Sequence, residues 1–212
     1  MKKKYIYAAL CAALFLILIA AVITVDVAPI GPQESLVGLS SINKAVHDFT
    51  GVNMVWYDIT QWLGAAAIVL AAVFAFIGLV QLVKRKSLIK VDRQILFLGI
   101  LYAVTIAAYI FFNLVAVNYR PVIMPGEQSP EASFPSSHTM LICVVMGSSA
   151  MLFGYYLRGR RTGRVLQIFC AAVMVLTVAG RLVSGVHWCT DIVGGLLLSA
   201  ALLFLYAGAN DF

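Results

Sequence analysis

Six long apolar runs divide this chain, at about 5–25, 62–83, 94–116, 138–157, 165–183 and 187–208. Each is close to the roughly 20 residues that a helix needs to cross the hydrocarbon core of a bilayer. The expected fold is therefore all-α: an integral membrane bundle of six transmembrane helices forming one domain over 1–212. The first run follows Lys2, Lys3 and Lys4. It is longer than the roughly 7 to 15 apolar residues of a secretory signal and lacks a clear small-x-small cleavage site. It reads as the first span, and six spans then put both termini in the cytoplasm. Between the first two runs, Leu39, Ile42, Val46 and Phe49 recur at helical spacing. This predicts a short amphipathic helix lying in the interface. Trp56, Tyr57 and Trp62 fit an aromatic belt at the second span, and His47 reads as a solvated loop residue.

Composition fixes the class. The chain is 62% hydrophobic and only 11% charged, whereas soluble domains carry about 25% charged residues. The net charge is +6, but its distribution excludes a nucleic-acid partner. Twelve of the fifteen Lys and Arg residues fall in three clusters, at 2–4, 84–93 and 158–164, each flanking an apolar run. That is the positive-inside signature. It assigns the clusters to the cytoplasmic side of a plasma (inner) membrane. Seven acids (Asp26, Glu34, Asp48, Asp58, Glu127, Glu131 and Asp191) and all six prolines fall on the opposite side. One face anchors, and the other is built from irregular backbone. Cys11, Cys143 and Cys170 lie within apolar runs as packing residues. Cys189 adjoins a polar cluster, yet no cysteine has metal-ligand spacing.

The chemistry concentrates on the built face. His138 and His187 each sit beside the start of an apolar run, where ionisable groups are costly and mark functional cavities. His187 and Asp191 are four residues apart, so a helix would put them on one face. The carboxylate could fix the imidazole tautomer and leave the other nitrogen free to attack. Arg181 and Arg120 offer planar guanidinium donors for phosphate oxygens. Pro135 suits a first helical turn. Ser136 and Ser137 would then present hydroxyls and backbone N–H groups to an anion, with His138 placed to protonate a leaving oxygen. Taken singly, Arg120 reads as a snorkelling residue, the serines as helix caps and Asp191 as a charge on the helix dipole. Their convergence on one membrane face favours a phosphate site.

The order Arg120-Pro121, then Pro135-Ser136-Ser137-His138, then Arg181-x5-His187-x3-Asp191 resembles the type 2 phosphatidic acid phosphatase (PAP2) family, related to vanadium haloperoxidases. The resemblance covers all three family motifs and agrees with the six-span layout. It implies His187 as the nucleophile, Asp191 as its partner and His138 as the general acid. It places Arg120, Ser136, Ser137 and Arg181 around phosphate and implies no metal or cofactor. Three positions depart from the family pattern: Asn113 replaces a lysine, Ser137 a glycine and Gly180 a serine. Asn113 thus removes one cation from the expected site.

These readings combine into a metal-independent lipid phosphatase acting on a phosphate or diphosphate monoester of a membrane lipid. Undecaprenyl diphosphate, phosphatidylglycerophosphate and phosphatidic acid types all remain open, with the active site facing the extracytoplasmic side. A lipid-linked phosphotransferase is the nearest alternative. A non-enzymatic lipid-phosphate-binding membrane protein is the alternative from another class.

Overall fold

The structure, a computed structural model, describes residues 2–212. Its elements are α1 (Lys2–Thr24), α2 (Ser40–Thr50), α3 (Met54–Arg85), α4 (Arg93–Leu114), α5 (Ser137–Tyr156), α6 (Arg161–Val183) and α7 (Cys189–Asn210). All but α2 are long and apolar enough to cross a membrane. The only β pairing among the described residues consists of two isolated bridges, Ala28 with Val37 and Tyr119 with Ala132. The architecture is an all-helical, multi-pass membrane bundle.

Helix α5 is the centre of the bundle. It is the least apolar of the six, yet 61% of its spanning window is buried, against 17% for α1. In lipid, apolar side chains gain nothing by leaving the surface, so helices that carry small and polar residues take the interior. Helices α6, α7 and α3 pack on α5, and α1 lies along α7. Several interior hydroxyls are satisfied within their own helices. Ser149 Oγ donates to the Val145 carbonyl at 2.6 Å, and Ser199 Oγ to that of Gly195 at 2.6 Å. This is the bonding required where no water is available. Ile6, Leu16, Val69 and Phe76 face outward toward lipid.

One element differs from expectation, and a second adds an orientation to it. Helix α3 starts eight residues before the predicted 62, because Asn53 caps it. The Asn53 side chain accepts from the N–H groups of Val55 and Trp56 at 3.1 and 3.2 Å. Trp56 and Tyr57 therefore lie inside the helix, and Tyr57 faces the bundle. Helix α2 exists as predicted, but its polar face turns inward. Asn43 is fully buried, whereas Ile42 and Phe49 are exposed. With lipid headgroups outside and a polar helix end inside, the usual inward apolar stripe is reversed. Asp26 caps this helix through Ser41 N at 2.7 Å and Ser40 Oγ at 3.0 Å. The Ser41 backbone bond, followed by the serine hydroxyls, holds the Asp26 carboxyl below its ordinary range.

At the far end of the bundle, Arg85 pairs with Asp92 at 2.7 Å, and Gln81 Nε2 donates to the same carboxylate at 2.8 Å. These bonds close the turn between α3 and α4. Lys4 Nζ donates to the carbonyls of Ala207 and Phe212, joining the start of α1 to the end of α7.

Candidate active site

The end of the bundle rich in acids and prolines gathers three chain segments. One is the loop between α4 and α5, where Arg120 N donates to the Glu131 carbonyl and Ser133 N to that of Asn118, both at 2.9 Å. These bonds hold Arg120 opposite Glu131. The second is the start of α5. The third is the turn from α6 into α7, which carries Arg181, His187 and Asp191. Gly185 makes that turn possible: its φ is +64°, and a Cβ there would lie 2.0 Å from the Gly51 carbonyl oxygen. Two further bonds fix this turn. His47 Nε2 lies 3.1 Å from the Gly185 carbonyl oxygen, and Trp188 Nε1 donates to the Tyr119 carbonyl at 2.7 Å. His47 is thus a partly buried structural contact, beside the Trp188 ring, and not the solvated residue its sequence context predicts.

Arg181 lies at the hub of the site and is fully buried. Its Nη2 reaches His138 Nδ1 at 3.1 Å and His187 Nε2 at 3.4 Å, while Nη1 donates to Thr60 Oγ1 at 3.2 Å. Its guanidinium carbon sits 5.1 Å from the Tyr57 ring centroid, a cation–π contact. A guanidinium always donates, so it favours neutral imidazoles whose facing nitrogens carry lone pairs. That leaves the proton of His187 on Nδ1, which lies 3.5 Å from Asp191 Oδ2. The contact is long for a hydrogen bond, as catalytic contacts often are before a ligand binds.

His187 and Asp191 do not form the helical pair that their spacing predicts. Helix α7 begins at Cys189, so His187 precedes the helix and Asp191 lies in its first turn. The carboxylate is oriented by the helix start, since Trp188 N donates to Asp191 Oδ2 at 3.0 Å. Burial pushes the His187 imidazole well below its ordinary pKa, and Arg120, Arg181 and His138 add to that shift. His187 is therefore held neutral.

A cavity of about 90 Å³ opens beside this group, lined by Asn113, Arg120, Glu131, Ser133, Ser137 and His187 among others. Arg120 Nε lies 2.9 Å from Glu131 Oε2, and Nη1 donates to the Val186 carbonyl at 3.4 Å. Asn113 lines the same cavity, with Nδ2 donating to the Tyr109 carbonyl at 2.9 Å. Ser136 is placed differently from the expectation. It is fully buried behind the wall, its N–H is given to the Asp191 carbonyl at 2.9 Å, and its Oγ accepts from Thr139 at 3.1 Å. Ser136 joins α5 to α7 and offers no free N–H to an anion.

A second cavity, of about 290 Å³ and mostly apolar, lies between α3, α4 and α5. Ile68, Ile106, Leu141 and His138 line it, and Tyr109 and Ser137 border both cavities. A polar compartment and an apolar one thus meet at the start of α5, with one imidazole in each.

Several contributors carry no local sequence signal. Thr60 and Tyr57 reach Arg181 from α3, and Asn43 holds the start of α7 through Thr190 N at 3.2 Å. Asn118 and Ser133 are buried with their side chains beside the Asp191 carboxylate. Only Ser133 adjoins a recognisable motif. Among the described residues no three His, Cys, Asp or Glu side chains are grouped as a metal site.

Comparison with known proteins bears on the family and the fold. Over 93 residues the chain is 30% identical to phosphatidylglycerophosphatase B of Bacillus subtilis (strain 168). That stretch covers 43% of this chain and 46% of the relative, so the likeness spans about half of that protein's length. The fold is similar to that of the crystal structure of a transmembrane PAP2 type phosphatidylglycerolphosphate phosphatase from Bacillus subtilis. The TM-score is 0.70 at 20% identity, over 97% of this chain and 96% of that one. The PAP2 superfamily pattern matches residues 98–210. That span runs from within α4 to the end of α7 and contains Arg120, Glu131, His138, Arg181, His187 and Asp191, so this chain belongs to the PAP2 superfamily.

Proposed function

We propose that this protein is a membrane lipid phosphatase that removes a phosphate from a lipid monoester or diphosphate through a phosphohistidine at His187. One observation carries this reading: a single buried guanidinium nitrogen lies 3.1 Å from one imidazole and 3.4 Å from the other. Two bases that share one cation form a site shaped for a tetrahedral anion that all three can touch.

In the proposed first step, substrate phosphate enters the polar cavity, and Arg181 and Arg120 turn their donors to its oxygens. His187 Nε2 attacks phosphorus as the bond to the lipid oxygen breaks, and His138, protonated once the anionic phosphate is bound, gives that oxygen a proton and becomes neutral. Asp191 stabilises the charge that develops on His187. In the second step water attacks the phosphohistidine. His138 takes a proton from it, the N–P bond breaks, and inorganic phosphate leaves. The guanidiniums offset charge on the equatorial oxygens, the main catalytic task in phosphoryl transfer. The apolar cavity beside His138 would receive the lipid part of the substrate, and the leaving oxygen would meet its acid where the two cavities join.

The name of the Bacillus relative points to phosphatidylglycerophosphate as the substrate; undecaprenyl diphosphate and phosphatidic acid are the competing types. The chain acts as one domain, with the three basic clusters in the cytoplasm and the two histidines toward the extracytoplasmic side of the inner membrane. Purified protein with chelator present should release phosphate from at least one lipid in a panel of these three types. No release from any of them, by protein that is folded and monodisperse, would refute the reading.

Two further outcomes follow. Protonating His187 removes its nucleophilic lone pair, and its pKa is held low. The acid limb of kcat/KM should therefore fall below the ordinary histidine value of about 6.5. The same depression makes the folded state bind fewer protons than the unfolded one. Its contribution to stability is complete above that value and is lost as pH falls toward the lowered pKa. A pH–rate profile checks the first point, with an acid limb at or above the ordinary value as the contrary result. Asn113→Lys returns a cation to the wall of the phosphate cavity and should lower KM severalfold, equivalent to about 1 kcal/mol, with kcat retained. Titrating initial rate against substrate reads this directly, and an unchanged or raised KM would contradict it.

A further inference from the structure

The three basic clusters at the far end of the bundle differ in what they meet. Lys4 is bonded to the carbonyls at the end of α7, and Arg85 is paired with Asp92. The cluster between α5 and α6 has no counter-charge: among the described residues no carboxylate pairs with Arg158, Arg160, Arg161 or Arg164. These four arginines line one open cavity of about 440 Å³ together with Gln167, whose Nε2 donates to the Ala150 carbonyl at 3.1 Å. The cavity also lies at the start of α6. Arg160 is the N-cap without a side-chain cap bond, and the first turn holds no acid. Cations at a helix N-terminus are unfavourable because the dipole is positive there too. Topological anchoring requires basic residues at this end of the bundle, but does not require four of them around one cavity and a positive helix end.

We propose that this cavity binds the phosphate headgroup of an anionic lipid in the leaflet opposite the active site. Guanidiniums give phosphate paired donors, and the space exceeds what a phosphate alone would fill, which suits a phosphate diester with its glycerol. The surroundings fit a lipid better than a free ion. Tyr155 and Tyr156 are exposed at the end of α5, where amphipathic rings lie at headgroup level. Val165, Ile168 and Phe169 are exposed along the first turns of α6, where acyl chains would lie. The 20 residues of α5 separate this cavity from Ser137, a rise of roughly 30 Å. Its ligand is therefore distinct from whatever occupies the histidine site, and the proposal stands or falls independently of the phosphatase reading.

The test uses the full chain in nanodiscs of phosphatidylcholine alone, of phosphatidylcholine with phosphatidylglycerol, and of phosphatidylcholine with added inorganic phosphate. The variants are Arg160→Gln/Arg164→Gln and, as a second pair, Arg158→Gln/Arg161→Gln. Lys84→Gln/Lys86→Gln serves as a control with equal charge loss at the same membrane face. Thermal unfolding and lipid retained on native mass spectrometry are the readouts. Wild type and control should hold phosphatidylglycerol and unfold at higher temperature with it, while inorganic phosphate has little effect. Either arginine pair, if folded in phosphatidylcholine, should retain about tenfold less of the anionic lipid and lose the thermal shift. Equal retention by both arginine variants would overturn the proposal, as would equal loss by the lysine control. A full shift from inorganic phosphate would overturn the lipid assignment in favour of a free anion.

Discussion

Replacing His187 with asparagine should abolish phosphate release while leaving the fold intact. The imidazole is nearly fully buried, between Arg181 at 3.4 Å and Asp191 at 3.5 Å. Asparagine fills part of that space, keeps a polar contact for each neighbour and offers no nucleophile. Loss of an enzyme's nucleophile lowers kcat by about 10⁴-fold or more. A variant with wild-type elution and unfolding temperature but no release would match the expectation. Wild-type turnover by the same variant would remove His187 from the chemistry, and the cavity would then be a binding site only.

Arg181 carries the second large expected effect. Arg181→Lys keeps one positive charge, but a single ammonium cannot touch Thr60, His138 and His187 from one plane. Arginine and lysine are not interchangeable at such a site. Losing one preorganised donor of this kind costs roughly 10²–10³ in kcat. The lysine variant should fall by about that factor, mostly in kcat and with little change in KM, because the lost contact develops in the transition state. The glutamine variant should fall further, since it leaves two histidines without their shared cation. A rise in KM alone, with kcat preserved, would mean that Arg181 only helps the substrate to bind.

The apolar runs were legible because a bilayer imposes a length and a composition on any helix that crosses it. The start of α3 was not. Asp58, Thr60 and Gln61 fall in the polar segment before the apolar run at 62, and only the Asn53 cap and the packing of Tyr57 and Thr60 around Arg181 explain why the helix includes them. The orientation of α2 was also hidden. Periodicity gives a helix an apolar face but cannot say whether lipid or protein lies on that side. Here the protein side holds the polar start of α7 and takes Asn43. His47 went unrecognised for the same reason, since its partner carbonyl is 138 residues away in sequence.

The site itself was largely readable as a set of residues, because ionisable groups beside apolar runs are conspicuous. Its geometry was less so. The spacing of His187 and Asp191 implied one face of one helix, whereas the histidine lies outside α7 and the carboxylate is oriented by the helix start. Ser136 carried the right motif position but turns its N–H toward Asp191. Residues that orient other residues, such as Thr60 and Asn43, act across distances that no local pattern encodes.

The proposed mechanism contains two displacements at phosphorus, one by His187 and one by water. Each inverts configuration, so the overall course must be retention. A lipid thiophosphate made chiral with oxygen isotopes, hydrolysed in isotopically labelled water, reports that course in the released thiophosphate. Retention is the predicted result. Inversion would mean that water attacks the substrate directly, and the covalent role given to His187 would be wrong.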